Sequence, residues 1–104
     1  MSIKIDVIET KNKPAHGLSV SWKDGQFVTI VTDKGMVACG AFDVKVMDEF
    51  NIAMAIAKGT PQKPLKVPDD LLGAKIVGVT SRAAGMGIKV GMSGREALEL
   101  MSKP

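Results

Sequence analysis

Residues 17–32 have the sequence GLSVSWKDGQFVTIVT, in which two apolar-rich segments flank a turn. The second segment, Phe27–Thr32, is rich in β-branched residues, which favour strands. Asp-Gly at 24–25 predicts a tight hairpin turn, with Gly25 taking the positive φ that such a turn requires. In the first segment we expect apolar side chains inward and serines outward: Leu18, Val20 and Trp22 against Ser19 and Ser21. The stretch therefore predicts an antiparallel hairpin.

The flanking segments extend this hairpin into a meander. Ser2–Glu9 also alternates, and residues 11–15 break the pattern with Asn and Pro. On the other side, Asp33-Lys34-Gly35 predicts a second tight turn, and Met36–Cys39 predicts a fourth strand. The alternation in Ser2–Glu9 places two sets of side chains on opposite faces: Ile3, Ile5 and Val7 against Lys4, Asp6 and Ile8.

The hydrophobic period changes after residue 40. Asp43 can cap a helix on which Val46, Met47 and Phe50 share one face. The next segment, Asn51–Ala57, alternates large and small side chains. That pattern suits a strand with one closely covered face, and it also suits a continued helix, because Ala and Met are good helix formers. We expect the strand.

End signals predict the remaining elements. Proline and glycine mark loops and helix ends, and an S-x-x-E capping box opens the last helix. The predicted elements are a loop Gly59–Pro68, a short helix Asp69–Leu72 with Pro68 as first residue and Gly73 as cap, a strand Lys75–Thr80, a short helix Ser81–Met86 ended by Gly87, and a helix from Ser93-Gly94-Arg95-Glu96 to about Met101.

These elements predict an α+β fold, in which an antiparallel β-meander is followed by mixed helices and strands and the C-terminal helix packs on the sheet. The 104 residues, 45% of them hydrophobic, suit a single domain spanning residues 1–104. The single cysteine excludes an internal disulfide, and no apolar run approaches the length of a membrane helix. We therefore expect a cytoplasmic protein without a membrane partner.

The charge pattern bears on partners. The net charge is +3, but the twelve lysines are scattered without a run, so a nucleic-acid partner is not expected. Self-association, as a dimer or larger oligomer, is expected because a small sheet must cover its unpaired edges. One histidine and one cysteine far apart offer no metal-binding spacing, and no nucleotide-binding motif occurs, so neither a metal nor a cofactor is expected.

Cys39 and Asp43 form the first candidate site. Cys39 ends a predicted strand just before the helix that Asp43 opens, and a thiol near a helix N-terminus ionises more easily. This placement predicts a nucleophilic Cys39 assisted by Asp43. The alternative is that Cys39 is a small apolar residue of the core, since free cysteine is among the most buried residue types.

The second candidate site lies in Gly85–Arg95, where four glycines lead into the last helix. Free N–H groups at a helix start can bind an anion, and both arginines of the chain, Arg82 and Arg95, flank the segment. The sequence predicts a small anionic ligand bound by Lys89, Gly91, Ser93, Gly94 and Arg95. Alternatively, the glycines serve helix ends and tight packing, and the cations are solvated.

Two stretches resemble the signatures of a known family. Cys39-Gly40-Ala41-Phe42-Asp43-Val44 and the twelve residues Gly87–Leu98 are similar to those of the YunC-like domain family, a bacterial and archaeal group of unknown function. The resemblance extends over nearly the whole chain. It implies an intracellular α+β domain, no established activity and no catalytic residues. It also implies a strand at Asn51–Ala57, because glycines interrupt the matching stretch of the relatives.

Three functions remain open on this sequence. The leading one is a small domain that binds an anionic metabolite at residues 91–95 and self-associates. The second is an enzyme with Cys39 as nucleophile, which requires the two signature stretches to meet in space. The third is a protein-interaction module, for which an exposed apolar patch on the order of several hundred Å² without a concave pocket would be the evidence.

Overall fold

The computed structural model describes all residues, 1–104, and its centre is one six-stranded sheet. The strands lie side by side in chain order. All neighbours are antiparallel except β4 and β5, which are parallel and joined through a helix. The strands are β1 (Ser2–Ile8), β2 (Ala15–Trp22), β3 (Gly25–Val31), β4 (Met36–Ala38), β5 (Met54–Lys58) and β6 (Lys75–Val79). The predicted α+β fold and its meander are confirmed.

Four helices cover the sheet unequally: α1 (Val44–Glu49), α2 (Pro68–Leu72), α3 (Ser81–Gly85) and α4 (Gly94–Met101). Helices α2, α3 and α4 enclose the main core on one side, which we call the covered face. Leu71 and Leu98 from the helices and Ile30 from β3 are fully buried there. The predicted packing of the C-terminal helix on the sheet is confirmed. On the other side, which we call the open face, α1 alone packs, over β4 and β5.

The ends of α1 explain how the chain returns to the sheet. Asp43 caps the helix by accepting from the N–H groups of Lys45 (2.8 Å) and Val46 (3.4 Å). Asn51 ends it with φ 58°, and the N–H of Ile52 donates back to the carbonyl of Met47 (3.1 Å). The helix therefore stops before the ambiguous segment. The strand expected there is present, although it begins later than predicted, at Met54.

The hairpin of β2 and β3 forms as predicted, but its turn differs in detail. Trp22 pairs with Gly25 across a two-residue turn. None of the turn residues has a positive φ, so the conformation expected for Gly25 is wrong. Glycine instead leaves room for the Trp22 side chain: a Cβ at Gly25 would lie 2.7 Å from the ring as it is placed. The indole ring lies over the place where a side chain would be.

The two outer strands differ in their protection. The segment preceding α4 runs along β6: Ile76 donates to the carbonyl of Met92 and accepts from the N–H of Gly91, both at 2.8 Å. Gly94 donates to the carbonyl of Ala74 (2.9 Å) just beyond the strand. No segment lies along the outer edge of β1. None of the four helices has the length and apolar character to span a bilayer.

Candidate functional site

The glycine-rich segment is held by its own backbone. Gly87 (φ 91°) and Gly91 (φ 100°) occupy the left-handed region, which glycine enters without strain. Gly94 is buried because α4 begins against the end of α2. A Cβ on Gly94 would overlap the carbonyl oxygen of Leu71 and lie 2.8 Å from the carbonyl carbon. These three glycines therefore have conformational or packing reasons independent of any ligand.

The hydrogen-bond donors at the start of α4 are largely occupied. The capping box is formed as predicted: Glu96 N–H donates to Ser93 Oγ (3.1 Å), and Ser93 N–H donates to Glu96 Oε1 (3.2 Å). The N–H groups of Gly91 and Gly94 donate to the β6 region. An anion at this helix start would have to displace bonds that already exist.

Arg95 acts as a connector between distant parts of the chain. Its Nη1 donates to the carbonyl of Glu9 (2.7 Å) and to Glu99 Oε2 (3.0 Å). Glu99 Oε1 in turn accepts from the N–H of Lys11 (3.0 Å). The guanidinium thereby fixes α4 to the β1–β2 loop. Lys89 is exposed and makes no ion pair. The anion site at residues 91–95 stays a prediction, and these contacts favour a structural role for the segment.

Cys39 lies in the core. Its side chain is 9% exposed, and Sγ accepts from the buried N–H of Val28 at 3.5 Å. Asp43 is four residues further on, and its carboxylate caps α1. The hydrogen bonds do not link Cys39 to Ser93: Cys39 Sγ accepts from Val28, and Ser93 pairs with Glu96. The catalytic roles of Cys39 and Asp43 stay predictions, while the placement of both side chains suits packing and capping.

Burial makes the reactivity of Cys39 testable. We expect iodoacetamide at neutral pH to leave Cys39 unmodified in the native protein and to modify it fully in denaturant, because a buried thiol cannot be reached by the reagent. Intact-mass measurement before and after unfolding counts the adducts. Rapid labelling of the native protein would support a nucleophile.

The open face carries the feature that sequence reasoning missed. Ile5 is 69% exposed and Trp22 is 50% exposed, although the alternation of β2 predicted that Trp22 points inward. That expectation is wrong because the helices cover the opposite face. The apolar side chains of the open face over β1–β3 form one patch: Ile3, Ile5, Val7, Leu18, Val20, Trp22, Phe27 and Val31. We call this set the open-face patch.

An aromatic row closes one end of the patch. Trp22 meets Phe27 edge to face, with ring centroids 6.4 Å apart, and Phe27 meets Phe42 at 5.6 Å. Phe42 belongs to the group that packs with α1. The patch is thus continuous with the side chains that α1 covers. A signal was available in the sequence, because Ile3, Ile5 and Val7 alternate on a strand whose other side chains are mostly polar.

A polar cleft lies elsewhere on the molecule. Its volume is about 630 Å³, and it lies between the 59–66 loop, α2 and the start of β6. Lys58 and Lys75 line it and are directly opposite in the antiparallel register of β5 and β6. Like charges in that position repel, and neither lysine forms an ion pair. We call this cavity the lysine cleft; its charged residues are Lys58, Lys63, Lys66, Lys75, Asp69 and Asp70.

Comparison with known proteins assigns the family. The family model described as "Domain of unknown function (DUF1805)" matches residues 38–101. The chain belongs to the DUF1805 family. The matched region contains both signature stretches of this DUF1805 protein and the lysine cleft. The whole open-face patch precedes it, because strands β1 to β3 end before residue 38.

One similar protein supports the family and another the fold. The uncharacterized protein YunC of Bacillus subtilis (strain 168) is 35% identical over 101 residues, which cover 97% of this DUF1805 chain and 99% of YunC. The crystal structure of a protein of unknown function, TA1206 from Thermoplasma acidophilum, matches with a TM-score of 0.84 at 23% sequence identity. The match covers 96% of this chain and 93% of the TA1206 chain. The resemblance to a YunC-like family is thereby confirmed.

Proposed function

We propose that this DUF1805 domain is a protein-interaction module that self-associates through the open-face patch. The observation that carries the proposal is the inverted polarity of the β1–β2 pair. On the covered side, only Ile8 and Ala15 reach the core, and the rest of the pair carries Lys4, Asp6 and serines; the uncovered side is apolar except for His16. A sheet face normally buries its apolar side, so this arrangement suits a face that another protein covers.

The size of the patch supports the same proposal. Five of its side chains are at least 42% exposed: Ile3, Ile5, Val7, Trp22 and Val31. Together they expose on the order of several hundred Å² of apolar surface, the size at which patches on monomers mark interaction sites. A standard interface buries roughly 800 Å² per partner. The patch and its polar rim can supply most of that area.

Trp22 offers a direct measurement, because it is the only tryptophan of the chain. We expect sedimentation velocity to show a dimer or larger species at tens of micromolar. Over the same range, quenching of Trp22 fluorescence by acrylamide should fall as the patch becomes covered. A monomer throughout this range, with Trp22 equally accessible at all concentrations, would remove the proposal.

A matched pair of valines tests where the contact lies. Val7 in the patch is 60% exposed, and Val90 in the glycine-rich segment is 61% exposed. We expect Val7→Ser to raise the dissociation constant of the oligomer at least tenfold, because burying a valine contributes about 1.5 kcal/mol or more and a symmetric dimer contains it twice. Val90→Ser should leave the constant unchanged. Equal effects of the two substitutions would place the interface outside the patch.

The lysine cleft supports a second candidate function, the binding of a small phosphate-bearing anion. The facing Lys58 and Lys75 favour it, because an anion between two unpaired ammonium groups would relieve their repulsion. The backbones of Lys75 and Ser93 form an isolated antiparallel β-bridge. The cleft therefore adjoins the segment for which the sequence predicts an anion.

Titration with inorganic phosphate and pyrophosphate, followed by amide NMR shifts, tests this second function. We expect saturable shifts at residues 58–60 and 74–76 that weaken in Lys58→Gln and Lys75→Gln and persist in Lys23→Gln, a lysine of the hairpin turn outside the cleft. Shifts confined to residues 93–96 would instead favour the site predicted from the sequence.

A further inference from the structure

Strand β1 is an open sheet edge, and the register shows which of its backbone groups are free. Cys39 N–H donates to the carbonyl of Val28, and Thr32 N–H donates to the carbonyl of Gly35, so the even-numbered residues of β3 bond toward β4. Backbone groups alternate in direction along a strand. The odd residues of β3 therefore bond to β2. Their partners in β2 are the even-numbered residues, so the odd-numbered residues of β2 bond to β1. Those residues pair with the even-numbered residues of β1, which leaves the backbone groups of Ile3, Ile5 and Val7 pointing outward.

The sequence of β1 is complementary to itself. When two copies of SIKIDVI are aligned antiparallel about Ile5, Ile5 lies opposite its own copy and Ile3 lies opposite Val7. These are the residues with free backbone groups, so each opposed pair can exchange two N–H···O bonds. Lys4 then lies opposite Asp6. That pair occupies the closer, non-hydrogen-bonded position, where side chains interact more strongly.

We propose that a second copy of this chain binds at β1, antiparallel, with Ile5 on the two-fold axis and Lys4 opposite Asp6 of the partner subunit. The proposal rests on the proposed self-association and adds to it an edge contact, separate from the face contact through the open-face patch, with a stated partner and register. Pairing at β1 joins the two sheets into one of twelve strands. It also brings the two open-face patches side by side on one surface, because Ile3, Ile5 and Val7 point to the same face in both copies. This joined surface stays uncovered in the edge-paired dimer and is the face through which the proposed patch contact forms.

Competing registers are disfavoured by charge. A shift by one residue would oppose free backbone groups with groups already bonded to β2. The two nearest alternatives that preserve hydrogen bonding centre the axis on Lys4 or on Asp6, and each places like charges directly opposite. A parallel, in-register pairing would also align Lys4 with its own copy. The alternation of one cation and one anion therefore selects a single register, as charge patterns do in specific interfaces.

Charge reversal tests the register without disturbing the subunit, since Lys4 and Asp6 are exposed and form no ion pair within the chain. We expect Lys4→Asp and Asp6→Lys each to weaken dimerisation about tenfold at low salt, because each turns two attractions into two repulsions. The double variant should recover to within about threefold of the original constant. An equimolar mixture of the two single variants should form mostly mixed dimers, counted by native mass spectrometry.

Cross-linking supplies an independent measurement of the axis. In the proposed dimer the two copies of residue 5 have Cα atoms about 5.5 Å apart, within the range of a disulfide. The two copies of residue 3 are roughly 13 Å apart, since four residues of strand separate them. We expect Ile5→Cys to form a disulfide-linked dimer on mild oxidation and Ile3→Cys to remain unlinked. Cys39 is buried and should not contribute.

The outcomes separate the two proposals. Recovery in the double variant together with linkage at residue 5 supports pairing at β1. A dimer that ignores both charge reversals and does not link at residue 5 overturns the edge pairing and leaves association through the open-face patch intact. A protein that stays monomeric in the unsubstituted form overturns both proposals.

Discussion

Replacing Gly94 with alanine is expected to lower the free energy of unfolding by about 3 kcal/mol or more. The added Cβ would overlap the backbone of Leu71 at the point where α4 begins against α2. Backbone at a helix end cannot move aside as a flexible side chain can, so the two helices must separate or tilt. Both helices contribute fully buried side chains to the main core. Urea unfolding followed by circular dichroism measures the loss.

Gly85 provides the matched control for this substitution. It also lies within a helix, α3, but open space surrounds the position of its Cβ. Gly85→Ala is expected to leave stability unchanged or to raise it by up to about 1 kcal/mol, because alanine is the better helix former. If both substitutions changed stability equally, close packing at Gly94 would not be the reason for its glycine.

Replacing Thr80 with valine is expected to lower the free energy of unfolding by about 2–3 kcal/mol. The Thr80 side chain is fully buried, and its Oγ1 accepts from the N–H of Met54 (3.0 Å) and from the N–H of Ala83 (3.4 Å). Valine preserves the shape but cannot accept. The substitution therefore removes the N-cap of α3 and leaves the buried N–H of Met54 without this partner.

Serine at the same position separates the hydroxyl from the methyl group. Thr80→Ser retains the acceptor and loses one buried methyl, so it should cost only about 1 kcal/mol. The same urea measurement compares the two variants. A valine variant as stable as the serine variant would mean that the hydroxyl of Thr80 contributes little, contrary to its two contacts.

The helix ends could be predicted from the sequence because their chemistry is local. Asp43 as cap, Pro68 as first residue of α2 and the Ser93–Glu96 capping box each act within about four residues of chain. The alternation of side-chain size over Asn51–Ala57 predicts a strand there, and the structure has it at Met54–Lys58. In these places the neighbouring residues decide the structure, so reading them in sequence is enough.

The candidate sites could not be predicted in the same way, because their character depends on residues far apart in the chain. Gly94 packs against Leu71, and this contact distinguishes a packing glycine from a ligand-binding one. Cys39 is buried by elements that the chain forms later. Which face of β2 is open depends on where Pro68 packs. Pro68 lies against Gly17, on the side where a Cβ would otherwise be. Periodicity shows that a strand has two unlike faces but does not show which one the helices cover.

The ties between Arg95 and Glu9 and between Glu99 and Lys11 have a consequence for synthesis on the ribosome. The meander can pair as soon as its strands emerge, since each strand lies next to its predecessor. Its covered face, which α2 and α3 cover only in part, nevertheless stays incompletely covered until residues 94–101 have been translated and have crossed back over some 86 to 88 positions of sequence. Until then the side chains of the main core that pack against Leu98 and Met101 remain accessible to water. Closure of the main core therefore waits for α4, the last of the ten elements in chain order.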